Sequence, residues 1–341
     1  MKLKNNNTYI IAEIGVNHNG KLDNAKKMIL NSKKAGADAV KFQSYISENI
    51  VAKDTLSAEY QNQNLKKKIN NQYDILKKYE LTFVQQKKLF LYAKKNNIDF
   101  LSSAFDLKSL SFLKKLNLKY YKIPSGEITN FQLLNEYSKF KKKIILSTGM
   151  SNLKQIKNAL KILTSKKNNL KNISILHCTT AYPTPLGDIN LNSLNYLKKK
   201  LNCNIGFSDH TTNIEASAIA VSLGAKIIEK HVTLNPNMIG PDHKASLNFR
   251  DFTTMVNLIR KTETMLGKSE KKIKKSEKMN IYFGRRSIFA CKNIKKGEVF
   301  NGKNLICLRP QKGVSADKYM LYLGTKSKYS YKRGDLIKKN Y

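Results

Sequence analysis

The sequence predicts an α/β protein, a (β/α)8 barrel over residues 1–267 followed by a small β-rich module. Short apolar, β-branched runs alternate with longer amphipathic runs, a pattern typical of parallel strands joined by helices. Eight strand-like runs occur before residue 267, and the pattern then changes to short β-like runs, glycine-centred turns and little helix. With 341 residues, the chain is long enough for both parts.

The strand-like runs are separated by segments that are each about one helix long. The runs cover residues 9–15, 38–43, 98–103, 119–124, 143–148, 173–178, 204–209 and 226–232. In the first helical segment, Ala25, Met28, Ile29 and Ser32 recur on one face. Eight strands that are each followed by a helix fit a barrel. A doubly wound open sheet is the alternative, but no GxGxxG motif follows the first strand.

Three segments interrupt or follow this repeat. The connection of residues 46–81 is longer than a normal barrel loop, which indicates a lid or a subunit contact. Residues 268–281 are a lysine-rich charge run, interpreted as a linker. In the module of residues 282–341, IKKGEV at 294–299 is echoed by YKRGDL at 331–336, which predicts internal pseudo-symmetry.

The net charge of +39 invites a nucleic-acid-binding interpretation, because lysine and arginine neutralise phosphates. Arginine supplies only 6 of the 63 basic residues, however, and base recognition prefers arginine. The lysines also occur in nearly every helical segment. We therefore expect a solvated basic surface that steers anionic substrates, with no nucleic-acid partner.

Cysteine usage and hydropathy bear on the compartment. The four cysteines are widely spaced and form no CxxC pair, which indicates a reducing environment. Residues 1–9 lack the apolar core of a signal peptide, and no run approaches the roughly 18 apolar residues of a membrane span. We expect a cytoplasmic protein that does not bind membranes.

Unusual polar residues cluster at the carboxyl end of each predicted strand, where barrel enzymes carry their reactive groups. They are Glu13, Asn17, His18, Lys41, Gln43, Ser103, Phe105, Lys122, Ser125, Glu127, Ser147, Thr148, Thr180, Tyr182, Ser208, His210, Glu229 and His231. A random scatter would not place such residues there eight times. The sequence therefore predicts an active site at this end of the barrel.

Two histidines indicate a metal. His210 and His231 lie at the ends of neighbouring strands and could ligate one divalent cation, leaving positions open for water and substrate. Glu13 could reach across the barrel mouth to the same point. Because sulfur ligands are few and carboxylates are several, we expect Mn²⁺, with Mg²⁺ or Co²⁺ as alternatives, rather than structural zinc.

Lys41 and Lys122 are informative because a lysine that points into a barrel must find an anion or lose its charge. One interpretation pairs them with Glu229 or Glu127. Another is a Schiff-base lysine, since a desolvated lysine can also act as a nucleophile. The third is a phosphate cradle built from hydroxyls and exposed amides. Its other members would be Ser125, Ser147, Thr148 and Gly149.

A series of motifs spans the whole barrel: IAEIGVNHNG, GADAVKFQ, YKIPSGEITN, IILSTGM, LHCTTAYPTP, IGFSDHT and IEKHVTLNPNMIGPDHKASL. Together they resemble the sialic acid synthase family, the nonulosonate synthases that condense phosphoenolpyruvate with a hexosamine-type aldehyde. RRSIFACKNIKKGEVFNGKNLICLRPQKGVS in the second module resembles the family's antifreeze-like (SAF) domain, which has a β-clip fold.

The resemblance implies specific roles. Histidines matching His210 and His231 bind the metal, which holds the aldehyde oxygen as a Lewis acid. The glutamate matching Glu13 positions the attacking water or shuttles its proton. Positions matching Lys41, Lys122, Ser125 and Ser147, extended here by Thr148 and Gly149, hold phosphoenolpyruvate. The expected sugar-binding positions are Gln43, Phe105, Glu127, Thr180, Tyr182, Ser208 and Asp242. The arginine matching Arg309 inserts from the partner subunit, which implies a domain-swapped homodimer.

The implied function is a transferase reaction in sialic acid biosynthesis for surface polysaccharides. We expect phosphoenolpyruvate and N-acetylmannosamine to give N-acetylneuraminate and phosphate by carbon–oxygen cleavage. The alternative acceptor is 2,4-diacetamido-2,4,6-trideoxymannose, which gives legionaminate, whereas residues 241–247 argue against pseudaminate. A Schiff-base pyruvate aldolase and a basic nucleic-acid-binding protein are more remote alternatives.

Overall fold

The structure, a computed structural model, describes residues 7–57, residue 64 and residues 71–339. It divides into two units, Met1–Gly267 and Lys268–Tyr341. Residues 1–6, 58–63 and 65–70 lie outside the described residues. The prediction that the amino terminus is not a signal peptide falls on the first of these ranges, and part of the long connection of residues 46–81 falls on the other two.

The first unit is a closed parallel barrel, as the alternating pattern predicts. In the described part of the chain its strands are β1 (Tyr9–Gly15), β2 (Ala39–Ser44), β3 (Asp99–Ala104), β4 (Tyr120–Ile123), β5 (Lys143–Ser147), β6 (Ile173–Cys178), β7 (Asn204–Asp209) and β8 (Ile227–Thr233). Each strand pairs in parallel with the next, and β8 pairs with β1 to close the ring. Closure confirms the (β/α)8 prediction and excludes an open sheet.

Helices surround the barrel and bury one face each. They are α1 (Leu22–Lys34), α2 (Gln72–Tyr79), α3 (Phe83–Lys95), α4 (Leu107–Lys115), α5 (Phe131–Ser138), α6 (Leu153–Leu163), α7 (Asn192–Lys200), α8 (Glu215–Ser222) and, after the short strand β9 (Leu247–Asn248), α9 (Phe249–Leu266). α1 buries Ala25, Met28, Ile29 and Ser32, the residues that the helical spacing selects. Within the residues described, no helix has the length and apolar character needed to span a bilayer.

Every second residue of a strand points into the barrel, because side chains alternate between the two faces of a strand. Successive inward residues form a lower layer and an upper layer. The lower layer is apolar and consists of Tyr9, Ile11, Ala39, Leu101, Tyr120, Ile145, Leu176 and Ile227. Gly206 fits between two of these residues, since a Cβ there would lie 2.5 Å from the carbonyl oxygen of Ile227 and 2.6 Å from Leu176. The next inward position along most strands is polar, so the charged groups lie directly above the apolar layer.

The second unit has its own small core. Its elements are α10 (Lys278–Gly284), the antiparallel pair β10 (Ser287–Ala290) and β11 (Leu305–Leu308), and α11 (Tyr319–Tyr322). The two echoed motifs pair with each other, because Ile294 and Tyr331 exchange backbone hydrogen bonds of 2.9 Å in both directions. α10 runs across the predicted boundary between linker and module at residues 281 and 282.

Candidate active site

A cavity of about 260 Å³ opens at the carboxyl ends of the strands. It brings together most of the residues that the sequence predicts for the site. Those that line it are Glu13, Lys41, Gln43, Ser103, Phe105, Lys122, Ser125, Ser147, Thr180, Tyr182, Ser208, His210, Glu229, His231 and Asp242. The sequence argument holds here because alternate strand positions face the same side, directly above the apolar layer.

Among the residues predicted to bind substrate, three contribute differently. The Thr148 hydroxyl donates to the carbonyl of Leu176 at 2.9 Å, which ties the end of β5 to β6. The backbone N–H of Gly149 donates to Ser125 Oγ at 3.0 Å. Glu127 is half-buried and accepts a 2.7 Å hydrogen bond from the Asn130 side chain at the start of α5. None of the three is among the residues that line the cavity.

Two lysines and two carboxylates form the floor of the cavity. Lys41 Nζ lies 2.9 Å from Glu13 Oε2 and 3.8 Å from Glu229 Oε1. Lys122 Nζ lies 3.5 Å from Glu229 Oε1 and donates to Ser147 Oγ at 2.8 Å. All four charged side chains are at least 95% buried. Glu229 therefore holds both lysines, as the ion-pair interpretation expects, and Glu127 holds neither in the described residues.

Burial separates the pKa values of the two carboxylates. It raises the pKa of Glu13 to about 8, against the attraction of Lys41. Burial acts on Glu229 as well, but Lys122 and Lys41 outweigh it and hold the pKa of Glu229 below its ordinary value. Glu229 is thus a permanent anion, whereas Glu13 exchanges a proton near neutral pH, which suits a general acid or base.

The two predicted metal-binding histidines face each other. Their ring centroids are 5.4 Å apart, and the Tyr182 ring stacks on His210 at 4.3 Å. His210 Nδ1 is 2.7 Å from the carbonyl oxygen of Thr179, so this nitrogen is the donor and, when the ring is neutral, Nε2 carries the lone pair. Ser208 Oγ is 3.5 Å from that Nε2.

His231 is held in its neutral form. Its buried Nδ1 has no hydrogen-bond partner in the described residues and lies 3.9 Å from Asp242 Oδ2. Burial, together with the charges of His210 and Lys41, puts the pKa of His231 well below its ordinary value. For His210, burial is outweighed by Cys178 and the Thr179 carbonyl, which raise its pKa. Burial also raises the pKa of Asp242 to about 6.

Few metal-ligating side chains surround His210 and His231. Across residues 7–57, 64 and 71–339, no cluster of three or more His, Cys, Asp or Glu side chains is arranged to hold a metal ion. The histidine pair is the group that the sequence predicts. An unpartnered buried imidazole nitrogen on one ring and a carbonyl-oriented imidazole on the other suit a divalent cation that takes its remaining ligands from water or substrate.

Close packing surrounds the loop after β5. A Cβ on Gly149 would lie 2.1 Å from Thr180 Oγ1 and 2.9 Å from Ser125 Oγ, so a larger residue fits only if these side chains move. Thr180 Oγ1 is buried and has no hydrogen-bond partner in the described part of the chain. This hydroxyl, the Ser125 hydroxyl and Lys122 border the same region of the cavity, and they offer donors to an anionic or polar ligand.

Sequence reasoning missed one wall of the cavity. Ile75, Leu76 and Tyr79 of α2 line it, together with Val16 and Tyr45. The sequence indicated a functional connection at residues 46–81 but located no cavity-lining residue there. The apolar spacing of Ile75 and Tyr79, four residues apart, was the available signal.

Arg309 lies in the second unit, directly after β11. Its Nε donates to the carbonyl of Gly284 at 3.0 Å. The insertion of Arg309 into a partner subunit's site stays a prediction.

Comparisons with known proteins agree with one another. The model of the NeuB family matches residues 28–271, and that of the SAF domain matches residues 285–340. The chain is 47% identical to an N,N'-diacetyllegionaminic acid synthase of Campylobacter jejuni, over 97% of this chain and 99% of that protein. It is 35% identical to a pseudaminic acid synthase of the same species, over 100% and 99% of the two chains. A solved N-acetylneuraminic acid synthetase of Leptospira borgpetersenii superposes with a TM-score of 0.71 at 32% identity, over 82% of this chain and 94% of that one.

Proposed function

Because the chain belongs to the NeuB family of sialic acid synthases and carries a SAF domain, we propose that it condenses phosphoenolpyruvate with 2,4-diacetamido-2,4,6-trideoxymannose. The products are N,N'-diacetyllegionaminate and phosphate. The observation that carries the choice of acceptor is the 47% identity to a legionaminic acid synthase, against 35% to a pseudaminic and 32% to an N-acetylneuraminic acid enzyme. N-acetylmannosamine, the acceptor expected from the sequence, becomes the second candidate. The family favours this reaction over the aldolase and nucleic-acid-binding alternatives.

The floor of the cavity supports phosphoenolpyruvate binding. When Glu13 is protonated, Lys41 and Lys122 face the single carboxylate of Glu229. The surplus positive charge, with the hydroxyls of Ser125 and Ser147, suits a phosphate and a carboxylate. Because the lysines are held by ion pairs and hydrogen bonds, they orient carbon 3 of phosphoenolpyruvate and need form no covalent bond to it.

His210 and His231 are the residues that would hold a divalent cation, for which Mn²⁺ stays our proposal. Such an ion supplies a Lewis acid that makes the aldehyde carbon more electrophilic. The chain itself orients His210 through Thr179 and keeps the His231 ring neutral. His231 is therefore ready to ligate at neutral pH, whereas His210, whose pKa is raised, would release a proton when the ion binds.

Glu13 handles the proton of the attacking water. Carbon 3 of phosphoenolpyruvate bonds to the aldehyde carbon, water adds at carbon 2, and the carbon–oxygen bond to phosphate then breaks. The proton lost by this water needs an acceptor beside the reacting carbons. Glu13 Oε2 lies 2.9 Å from Lys41 Nζ, and a pKa of about 8 lets Glu13 exchange a proton near neutral pH and, once ionised, accept the proton of the water.

Phosphate release from phosphoenolpyruvate tests the proposal. We expect EDTA-sensitive release that Mn²⁺ restores, with a higher kcat/KM for the diacetamido sugar than for N-acetylmannosamine. His231→Ala should lose both Mn²⁺ binding, measured by electron paramagnetic resonance, and turnover, while its circular dichroism spectrum is unchanged. Full turnover without a divalent cation would contradict the metal assignment, and a preference for N-acetylmannosamine would contradict the acceptor.

The rim of the cavity supports a homodimer. Leu107, Phe131, Met150 and Leu186, which follow the carboxyl ends of β3, β4, β5 and β6, are 46–68% exposed. Apolar side chains grouped around a binding site are typical of a surface that another chain covers. We propose that the SAF domain of a second copy covers this rim and supplies Arg309.

Mixing two inactive variants tests the domain swap. Arg309→Ala and His231→Ala homodimers are each expected to be inactive, whereas a mixed dimer contains one site with both residues intact. Activity that appears on subunit exchange supports the swap, and inactivity of an isolated heterodimer contradicts it. The four unpaired cysteines accord with a cytoplasmic location, which we also propose.

A further inference from the structure

Asn17 is one of the polar residues that the sequence predicts at the strand ends, and the site described above gives it no role. It lies two residues beyond β1, is 0% exposed, and is not among the residues that line the cavity. A fully buried amide has to satisfy its polar atoms inside the protein. The partners of the Asn17 side chain therefore indicate what it does.

The Asn17 amide connects two segments that carry residues of the site. Its Nδ2 donates to the carbonyl of Val232 at 2.9 Å and to Ser246 Oγ at 2.8 Å. Val232 directly follows His231 in β8. Ser246 Oγ in turn donates to the backbone carbonyl of Asp242 at 2.6 Å. One buried side chain thus joins the carboxyl end of β1 to the strand that carries His231 and to the loop that carries Asp242.

The direction of this chain of hydrogen bonds is fixed. A serine hydroxyl has one proton to donate, and Ser246 gives it to the carbonyl of Asp242, a group that can only accept. Ser246 must therefore accept from Asn17, which requires the NH₂ group of the amide rather than its oxygen. The carbonyl of Val232 requires the same group. Asn17 Oδ1 is left buried, with no hydrogen-bond partner in residues 7–57, 64 and 71–339.

The carboxylate of Asp242 depends on its backbone for its position. Its Oδ2 lies 3.9 Å from His231 Nδ1, too far for a hydrogen bond. A Cβ on Gly15 would lie 3.1 Å from Glu13 Oε1 and 3.7 Å from Asp242 Oδ2, so both carboxylates lie beside the same glycine. Because the contact with His231 is too long to fix the carboxylate, the bond from Ser246 to the Asp242 backbone helps to set where it lies.

A second attachment holds the other side of this loop. His243, the residue after Asp242, has its Nδ1 2.7 Å from Thr233 Oγ1 and its Nε2 3.1 Å from Asn19 Oδ1. These contacts connect the loop to the end of β8 and to the segment after β1 without using the Asn17 amide. The loop therefore stays folded when the bond from Ser246 is removed, and the placement of Asp242 is what changes.

We propose that Asn17 is a positioning residue, which sets through Ser246 where the Asp242 carboxylate lies in the cavity. This role rests on the proposed function, in which the aldehyde of the acceptor reacts beside His231, 3.9 Å from that carboxylate. The lysines that would bind phosphoenolpyruvate are held separately, by their ion pairs with Glu229. Loss of the Asn17 amide should therefore weaken the use of the acceptor and leave phosphoenolpyruvate binding unchanged.

Three single variants, one double variant and a matched control test this role. Asn17→Ala removes both donated bonds, and Ser246→Ala removes only the hydroxyl that reaches Asp242. Asp242→Asn removes the charge that the chain of bonds positions. The control, Asn24→Ala, removes a 3.3 Å bond to the carbonyl of His18 close by, at the start of α1. Phosphate release at saturating Mn²⁺, with the acceptor that the parent protein uses, gives the KM for each substrate.

We expect Asn17→Ala and Ser246→Ala each to raise the KM for the acceptor about 3- to 10-fold, the effect of losing one hydrogen bond. The KM for phosphoenolpyruvate in these variants, and both KM values in Asn24→Ala, should change less than twofold. Because the two residues act through one chain of bonds, the double variant should be no worse than the more severe single variant. Asp242→Asn should show the same selective loss.

Several results would overturn the positioning role alone. They are an unchanged KM for the acceptor in Ser246→Ala or in Asp242→Asn, equal rises in KM for both substrates, and effects that multiply in the double variant. Ser246→Ala removes a single oxygen atom and so reports on the role even where Asn17→Ala lowers the stability of the fold. No phosphate release from the parent protein with any sugar would overturn the proposed function and the positioning role with it.

Discussion

The ion pair between Lys230 and Asp209 connects β8 to β7 immediately beside the two histidines. Its Nζ and Oδ2 atoms are 2.8 Å apart, and both side chains are 0% exposed. Lys230 also donates to Thr211 Oγ1 at 3.1 Å and to the carbonyl of Asn213 at 2.9 Å. We expect Lys230→Met to lower the free energy of unfolding by about 3–5 kcal/mol, because it leaves a buried carboxylate without a counter-charge. Urea unfolding at neutral pH measures this change as a lower midpoint at constant slope.

A second variant separates charge from packing. Asp209 also accepts from the N–H of Thr211 at 2.9 Å and, through its other oxygen, from the Ser217 hydroxyl at 2.8 Å. An asparagine oxygen can keep the first bond, and its amide N–H can donate to the Ser217 hydroxyl in place of the second. Lys230→Met with Asp209→Asn should therefore recover at least half of the lost stability. Exposed Lys154→Met is the control and should stay within about 0.5 kcal/mol of the parent. A loss below about 1 kcal/mol for Lys230→Met, or no recovery in the double variant, would refute the reasoning.

Three further predictions concern other parts of the chain. Burial lowers the pKa of His243 from 6.5 to about 4, so the stability contributed by its neutral form is present above pH 6.5 and is lost as the pH falls toward 4. His243→Gln should reduce the loss of unfolding free energy between pH 7 and 4.5, measured by urea unfolding, by up to about 3 kcal/mol, and an unchanged loss would contradict this origin. Gly149→Ala should cost about 1–3 kcal/mol in thermal unfolding and raise the KM for phosphoenolpyruvate, with partial recovery on adding Thr180→Ala, which removes the atom 2.1 Å from the new Cβ. Phe300→Ala should cost about 3–5 kcal/mol, because this fully buried ring packs against Tyr322 and Tyr331. Hydrogen exchange that stays slow throughout residues 285–340 would argue against that value.

The site was predictable where it depends on the alternation of side chains along a strand. Tyr9 and Ile11 face the apolar layer and Glu13 follows on the same face, and Ala39 with Lys41 repeats the pattern on β2. Alternation with a period of two is a property of neighbouring residues, so it can be read without knowing the fold. The helical faces, such as that of α1, were predictable for the same reason.

The partners of those side chains were not predictable. Lys41 could pair with any acid at the barrel mouth, and the sequence offered Glu229 and Glu127 equally. The structure places Glu229 between both lysines and Glu127 at the start of α5. Thr148 likewise directs its hydroxyl to the β6 backbone. Distances of this kind depend on how far each strand is displaced along its neighbour when the barrel closes.

The sequence by itself determined the eight-stranded barrel, the small second module and the ring of reactive side chains. Periodic patterns and strand-end residues are local, and they keep their meaning in any tertiary arrangement. Only the tertiary structure decided that Glu13 and Glu229 differ in pKa, that one nitrogen of His231 has no partner among the described residues, and that α2 adds an apolar wall. Burial, charge separation and cavity shape arise from residues distant in the chain, so no local pattern encodes them.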